Sequence, residues 1–224
     1  MLALARKTRK SAKCEALLKL LTATREKVII FTKYVETLHF LARTLAEAGV
    51  STAVYEGSLS REAKDARIAE FETSRQVLLC TEAAGEGRNL QFCHTMVNFD
   101  LPWNPMRIEQ RVGRIHRVGQ EHEVSIYNLS AEGTVEDYIL WLLDSKINMF
   151  EMVIGEMDLL LGNLADERDF ADIVAEIWLQ ATDRQDLERK IEDFGEEILR
   201  AKQAYQKAEE YDERVFGHDY EVVS

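Results

Sequence analysis

At 224 residues, 46% hydrophobic and 30% charged, the chain has the make-up of a globular protein with one large domain, or one domain and an extension. It holds no run of 18 apolar residues, no leader-like apolar stretch behind Met1, and three scattered cysteines (Cys14, Cys80, Cys93) with no Cys-x-x-Cys. No membrane span, secretory signal, disulfide framework or zinc ribbon is therefore expected, and a reducing, cytoplasmic setting is. The net charge of −12 is unevenly spread: residues 151–224 carry 8 Lys and Arg against 21 Asp and Glu, a net of −13, and the first 150 carry 20 against 19, a net of +1. The acidic last third repels nucleic acid and is expected to face solvent or a protein partner. The near-neutral remainder leaves room for a local basic groove.

In chain order, a basic stretch from Arg6 to Lys10 precedes a helix over residues 11–25, with Leu17, Leu18, Leu20 and Leu21 as its apolar face. Residues 27–31, rich in β-branched side chains, read as a buried parallel strand. A helix over 34–48 follows, with Leu38, Leu41 and Leu45 at helical spacing and Gly49 as its C-cap. Residues 52–55 form a second strand. Ser60 caps a helix running to residue 71, with Glu62 in its first turn. Strands three to five are expected over 76–80, 95–99 and 123–129, the last with Val124, Ile126 and Leu129 as apolar positions. Alternation of strand and helix implies an α/β fold built on a parallel sheet with right-handed crossovers, whose ligands sit beyond the carboxyl ends of the strands. The glycine-rich segment after Cys80 lies at one of those ends.

Beyond the sheet, residues 134–161 read as one long helix or two, Gly162-Asn163 as a break, and 165–181 as another helix. From 183 to 215, Leu187, Ile191, Phe194, Ile198, Ala201, Tyr205, Ala208 and Tyr211 form a heptad-like seam with charged flanks. Packing onto the preceding helices is the plainer expectation; a coiled coil with another chain is the alternative.

Residues 110–120, Gln-Arg-Val-Gly-Arg-Ile-His-Arg-Val-Gly-Gln, place Arg111, Arg114 and Arg117 at three-residue spacing. On a helix such positions share roughly one face. Three guanidinium groups there repel each other unless anions face them, and arginine suits planar, bidentate recognition of phosphate. Gly113 and Gly119 interrupt the helical pattern, each at about 1 kcal/mol against alanine. Close approach to a backbone or a ligand is the expected compensation.

The segment 110–117 resembles motif VI of superfamily two helicases and translocases, and its ending, Arg117 to Gln120, is similar to the Swi/Snf-type branch. Residues 29–34 resemble motif IV, 55–58 the motif that follows it, 80–91 motif V, and 99–105 the connector before motif VI, so the resemblance runs from about residue 11 to 145. Thr81-Glu82 and the run Gly85 to Asn89 resemble the bacterial RNA-polymerase-associated Swi/Snf-like ATPases; eukaryotic remodellers usually carry arginine and leucine where Glu82 and Glu86 stand.

The resemblance implies a RecA-like lobe of the P-loop NTPase fold, the second of two, over 27–149. A basic segment and helix over 1–26 precede it, and an acidic helical extension over 150–224 follows. It implies that Arg114 and Arg117 are arginine fingers, offsetting charge that develops on a transferred phosphoryl group. Gly85, Gly87, Asn89 and Gln110 would lie on the nucleotide side, and Ser58 and Thr81 would meet nucleic-acid phosphate. The cofactor would be ATP with Mg2+ in the full two-lobe enzyme. Partners would be an N-terminal RecA-like ATPase lobe, on the same or a separate polypeptide, double-stranded DNA, and RNA polymerase. Thr81 also reads as an ordinary strand end, Asn89 as a turn residue, His116 as a surface or packing histidine, and Trp103 as a packing anchor. Neither a Gly-x-x-x-x-Gly-Lys-Ser/Thr loop nor an Asp-Glu-x-His motif occurs, so the chain by itself is expected not to hydrolyse ATP. A strand-separating superfamily two helicase and a non-catalytic interaction module are the alternatives.

Overall fold

Short apolar runs, each ended by polar or glycine-containing segments, set the centre of the fold. The computed structural model describes residues 11–81, 90–116, 120, 122–147 and 170–216. The strands are β1 (Val28–Thr32), β2 (Thr52–Tyr55), β3 (Val77–Thr81), β4 (Thr95–Asn98) and β5 (Ser125–Asn128), each within two residues of the span read from the sequence. They form one sheet of order β2-β3-β1-β4-β5, parallel throughout. Strands β1, β3 and β4 are buried along their whole length, while the edge strands β2 and β5 are only partly so. Near-continuous apolar runs inside and mixed runs at the edges are what a sheet covered on both faces requires.

Side chains alternate across the sheet and so build two cores. Val28, Ile30, Val77, Leu79 and Val97 pack with Cys14, Leu17 and Leu21 of α1 (Ala12–Ala23) and with Leu38, Leu41 and Leu45 of α2 (Val35–Glu47). On the other face, Ile29, Phe31, Leu78, Cys80 and Met96 pack with Phe71 of α3 (Arg61–Thr73), Leu90, Cys93 and Ile115. The helix starts follow from their caps: Ser11 Oγ accepts from Cys14 N at 3.1 Å, and Ser60 Oγ accepts from Ala63 N at 3.3 Å. Gly49 ends α2 at φ +74°, the left-handed conformation that glycine alone adopts without strain. Gly133 adopts φ +70° in the turn before the next helix.

Further along lie α4 (Pro105–Val112) and α5 (Val135–Trp141), which runs on as a π-helical turn (Leu142–Ile147), then α6 (Phe170–Gln180) and α7 (Arg184–Phe216). The remainder of the helices expected over 134–161 and 165–181 lies outside the described residues. The chain divides into two compact units, residues 1–102 with 110–136, and residues 103–109 with 137–224. In the first, Lys13 of α1 pairs with Glu136 and donates to Phe99 O at 3.2 Å, and Glu136 Oε1 accepts from Leu101 N at 3.3 Å, so the start of α5 is stitched to α1 and to the connector after β4. In the second, the seam of α7 turns inward over its first half: Leu187, Ile191, Phe194 and Ile198 are buried, and Phe194 meets Phe170 of α6 at 5.4 Å between ring centroids. A cavity of about 360 Å³ lies between α5 and α7, lined by Asp137, Tyr138, Trp141, Glu188, Ile191 and Glu192. No helix among the described residues is long and apolar enough to cross a membrane.

Candidate functional site

Because all five strands run parallel, their carboxyl ends share one edge of the sheet, and polar side chains stand at or just beyond the ends of the first four. After β1 come Lys33 and Tyr34, both exposed, with the Lys33 ammonium 5.5 Å from the Tyr34 ring centroid. After β2 the chain turns through Glu56, Gly57 and Ser58, and Ser58 is exposed. β3 ends on Thr81, 7% exposed and in register with Thr32 at the end of β1. After β4 come Phe99 and Asp100, whose carboxylate accepts from the Thr32 hydroxyl and, at 3.2 Å, from Lys33 N.

The arginine run enters this edge in an arrangement different from a single basic helical face. Helix α4 stops at Val112, and a turn follows in which Arg114 N donates to Arg111 O at 3.0 Å, Ile115 N to Val112 O at 3.0 Å and His116 N to Val112 O at 2.9 Å. Gly113 is where the helical course is lost, in keeping with its low helix propensity. Arg111 is the more deeply buried of the two described arginines of the run. Its guanidinium is buried, 3% exposed, with Nη1 donating to Asn98 Oδ1 at 2.7 Å and to Asp100 O at 3.1 Å. It lies over the Phe31 ring, 5.1 Å from the centroid. The expectation that anions must balance all three arginines is corrected for Arg111: two oxygens at the end of β4 and an aromatic face take the place of phosphate.

Asn98 is wholly buried and donates to Asn128 Oδ1 at 2.8 Å, so a polar relay runs Asn128, Asn98, Arg111, Asp100, Thr32 across the ends of β5, β4 and β1. A buried polar group must be hydrogen-bonded. The sequence signal for this relay is an asparagine closing each of two adjacent strands, β4 and β5, which the reading of motifs passed over. On the other side of the turn, Ile115 is buried in the core with Cys80, Leu90 and Met96. Arg114, half-buried, thus lies between two fixed neighbours. Gln110, exposed, lies in the last turn of α4.

Of the residues singled out in the sequence, Thr81 closes β3, Ser58 follows β2, Gln110 lies in the last turn of α4 and Arg114 in the turn that follows it. Gly85, Gly87, Asn89 and Arg117 lie outside the described residues. The two cysteines in the core on this face of the sheet are held as thiols: burial pushes Cys80, next to the last residue of β3, up to about 12, with the Arg111 charge pulling the other way, and burial pushes Cys93, at the amino end of β4, up to about 11. Among the described residues no group of three or more His, Cys, Asp or Glu is placed to hold a metal ion.

Comparison with known proteins places these features in context. Residues 12–119 match the helicase conserved C-terminal domain. The chain is 44% identical over 169 residues to an uncharacterized ATP-dependent helicase, YqhH, of Bacillus subtilis (strain 168), covering 75% of this chain and 30% of that protein. It is 33% identical over 198 residues to the RNA polymerase-associated protein RapA of Proteus mirabilis (strain HI4320), covering 83% of this chain and 20% of that protein. The chain thus spans less than a third of the length of the curated relatives it matches. Among solved structures, the C-terminal part of the Fun30 ATPase domain superposes with a TM-score of 0.56 at 26% identity, covering 76% of this chain and 55% of that one. The parallel sheet flanked by helices is accordingly a RecA-like fold of the helicase C-terminal kind.

Proposed function

We propose that this chain, whose residues 12–119 match the helicase conserved C-terminal domain, is the second motor lobe of a Swi/Snf-like DNA-dependent ATPase that translocates on double-stranded DNA. In this reading Arg114, with Arg117, is presented to ATP held by a first RecA-like lobe, which supplies the phosphate cradle and the Mg2+ ligands. What this chain contributes is positive charge at the phosphoryl group, in a position fixed before reaction, so that little reorganisation is needed as negative charge develops. Ser58 and the backbone after Thr81 meet DNA phosphate at the same edge. Closure of the two lobes on ATP and reopening after hydrolysis ratchet the enzyme along the duplex. The RNA polymerase-associated character of the Proteus relative supports RNA polymerase as a partner, and the compartment is the cytoplasm.

The observation that carries the reading is the turn itself: Arg114 stands between the buried Arg111 and the buried Ile115 at the carboxyl edge of a parallel sheet, where ligands of such sheets bind. The test is kinetic. In the two-lobe enzyme, Arg114→Ala lowers kcat by about 10³-fold or more with little change in ATP affinity, as expected of an arginine finger; the isolated chain hydrolyses no ATP above background, with or without DNA. Normal turnover by Arg114→Ala sinks the reading. A strand-separating helicase is a second reading, favoured by the likeness to the Bacillus ATP-dependent helicase. Displacement of a labelled strand from a duplex distinguishes it from translocation without unwinding.

A further inference from the structure

One amide joins the two segments most closely tied to the proposed chemistry. Gln120 Nε2 donates to Gln91 O at 2.9 Å and to Ile115 O at 2.9 Å, and its Oε1 accepts from His122 N at 3.1 Å. A glutamine side chain has two N–H donors and one carbonyl, so both donors are used, one on each segment. Gln91 opens the turn that leads away from the glycine-rich stretch 82–89, with the buried Leu90 beside it. Ile115 closes the turn that holds Arg114. A lysine has donors but buries a charge beside carbonyls, and a glutamate of the same shape has none, so the amide is the group that fits two carbonyl oxygens and an N–H.

We infer that Gln120 is a positioning residue for Arg114. It locks the exit of the glycine-rich segment to the arginine turn, and the two move as one piece. Arg111 fixes the turn from below, through Asn98 and Asp100; Gln120 fixes it from the side. A reacting group displaced by about 1 Å loses on the order of 10²-fold in rate, which is the scale on which such a lock matters. The inference rests on the reading of Arg114 as the finger, and two independent measurements separate failure of the one from failure of the other.

The first measurement uses the 224-residue chain alone. Gln120→Glu keeps the shape and removes both donors, setting oxygens against two carbonyls. Amide hydrogen exchange at Ile115 and His116, whose N–H groups close the turn, is expected to quicken at least about tenfold, with β1 and β3 unchanged. Unchanged exchange at the turn overturns the inference, and so does an equal acceleration throughout the sheet, which is a loss of global stability. Gln120→Met, which removes the donors without adding charge, is read in the same way should the glutamate variant not fold. The second measurement uses the two-lobe enzyme. Gln120→Glu is expected to lower kcat by about 10–10²-fold, with KM for ATP within about twofold and partial recovery as pH is lowered, because a protonated carboxyl regains one donor. If Arg114→Ala abolishes turnover while Gln120→Glu turns over at the wild-type rate at every pH, the positioning role is refuted and the finger stands. Wild-type turnover by Arg114→Ala refutes the finger and, with it, the role assigned to Gln120.

Discussion

Replacing Arg111 by methionine tests whether this arginine belongs to the architecture or to ligand recognition. Methionine fills much of the same space over Phe31 but has no donor. Asn98 Oδ1, in a residue wholly buried, loses a charge-assisted bond of 2.7 Å, and Asp100 O loses one of 3.1 Å. Hydrogen bonds to charged groups contribute about 1.5–3 kcal/mol each, and a buried acceptor left alone costs about 1–3 kcal/mol. The guanidinium over the Phe31 ring at 5.1 Å contributes about another 1 kcal/mol. Against these stands the desolvation of a buried cation, which methionine avoids and which amounts to several kcal/mol. The net expectation is a loss of about 3 kcal/mol, read as a fall of about 1–2 M in the urea midpoint at ordinary m-values. Far-UV circular dichroism is the suitable probe, because Trp103, Trp141 and Trp178 all belong to the second unit. A double-mutant cycle with Asn98→Ala is expected to show coupling of about 1–2 kcal/mol. A fall of less than about 0.5 kcal/mol, or strict additivity, refutes the buried-anchor account and returns Arg111 to the phosphate-facing set.

Three further outcomes follow from other parts of the chain. Gly49→Ala meets no atom within 4 Å but must adopt φ +74°, so it is expected to lose about 1–2 kcal/mol by backbone strain alone, with Gly49→Asn losing less; equal stability of wild type and alanine variant in urea contradicts this. Native protein at pH 8 is expected to leave Cys80 and Cys93 unmodified by a thiol reagent that labels both in urea, since burial keeps them protonated; rapid labelling of either in the native state goes against it. At the start of α7, Asp186 accepts from Arg189 first, then from Lys190 and from Thr182 N, and these partners hold its carboxyl well below the usual 3.8. A depressed folded value means that the contribution is complete above 3.8 and is lost as pH falls toward the folded value. Carbon-detected NMR should therefore show Asp186 titrating well below 3.8, and a midpoint at the ordinary value rules the cap network out.

Much of this fold is legible in the residues. The run Val28–Thr32 is apolar and β-branched enough to be read as a buried strand, Val77–Thr81 is apolar enough to be read as another strand, Ser60 announces the helix behind it, and Gly49 announces a stop. The fate of Arg111 was not legible. A three-residue spacing fits a helical face and a helix running into a turn equally well, and what decides is the pair of oxygens offered by Asn98 and Asp100, which strand pairing brings near. The order of strands was hidden for the same reason. Apolar runs say that β1, β3 and β4 are interior, but not which neighbours which. The role of Gln120 depends on a bond to Gln91, 29 residues away, and a terminal glutamine in a motif gives no hint of it.

The place of β1 in the middle of the sheet also sets the order of events during synthesis. It is translated before both of its neighbours: Val28 pairs with Val77, 49 residues later, and with Thr95, 67 residues later. Closing loops of this length costs conformational entropy before any pairing returns it, and non-local parallel pairing is slow. A nascent chain that has not reached Thr95 therefore exposes one whole flank of an apolar five-residue strand, a template for pairing with another chain. The sheet is stable only as a finished object, and protection of its unfinished middle falls to whatever shields the chain while residues 33–94 are being made.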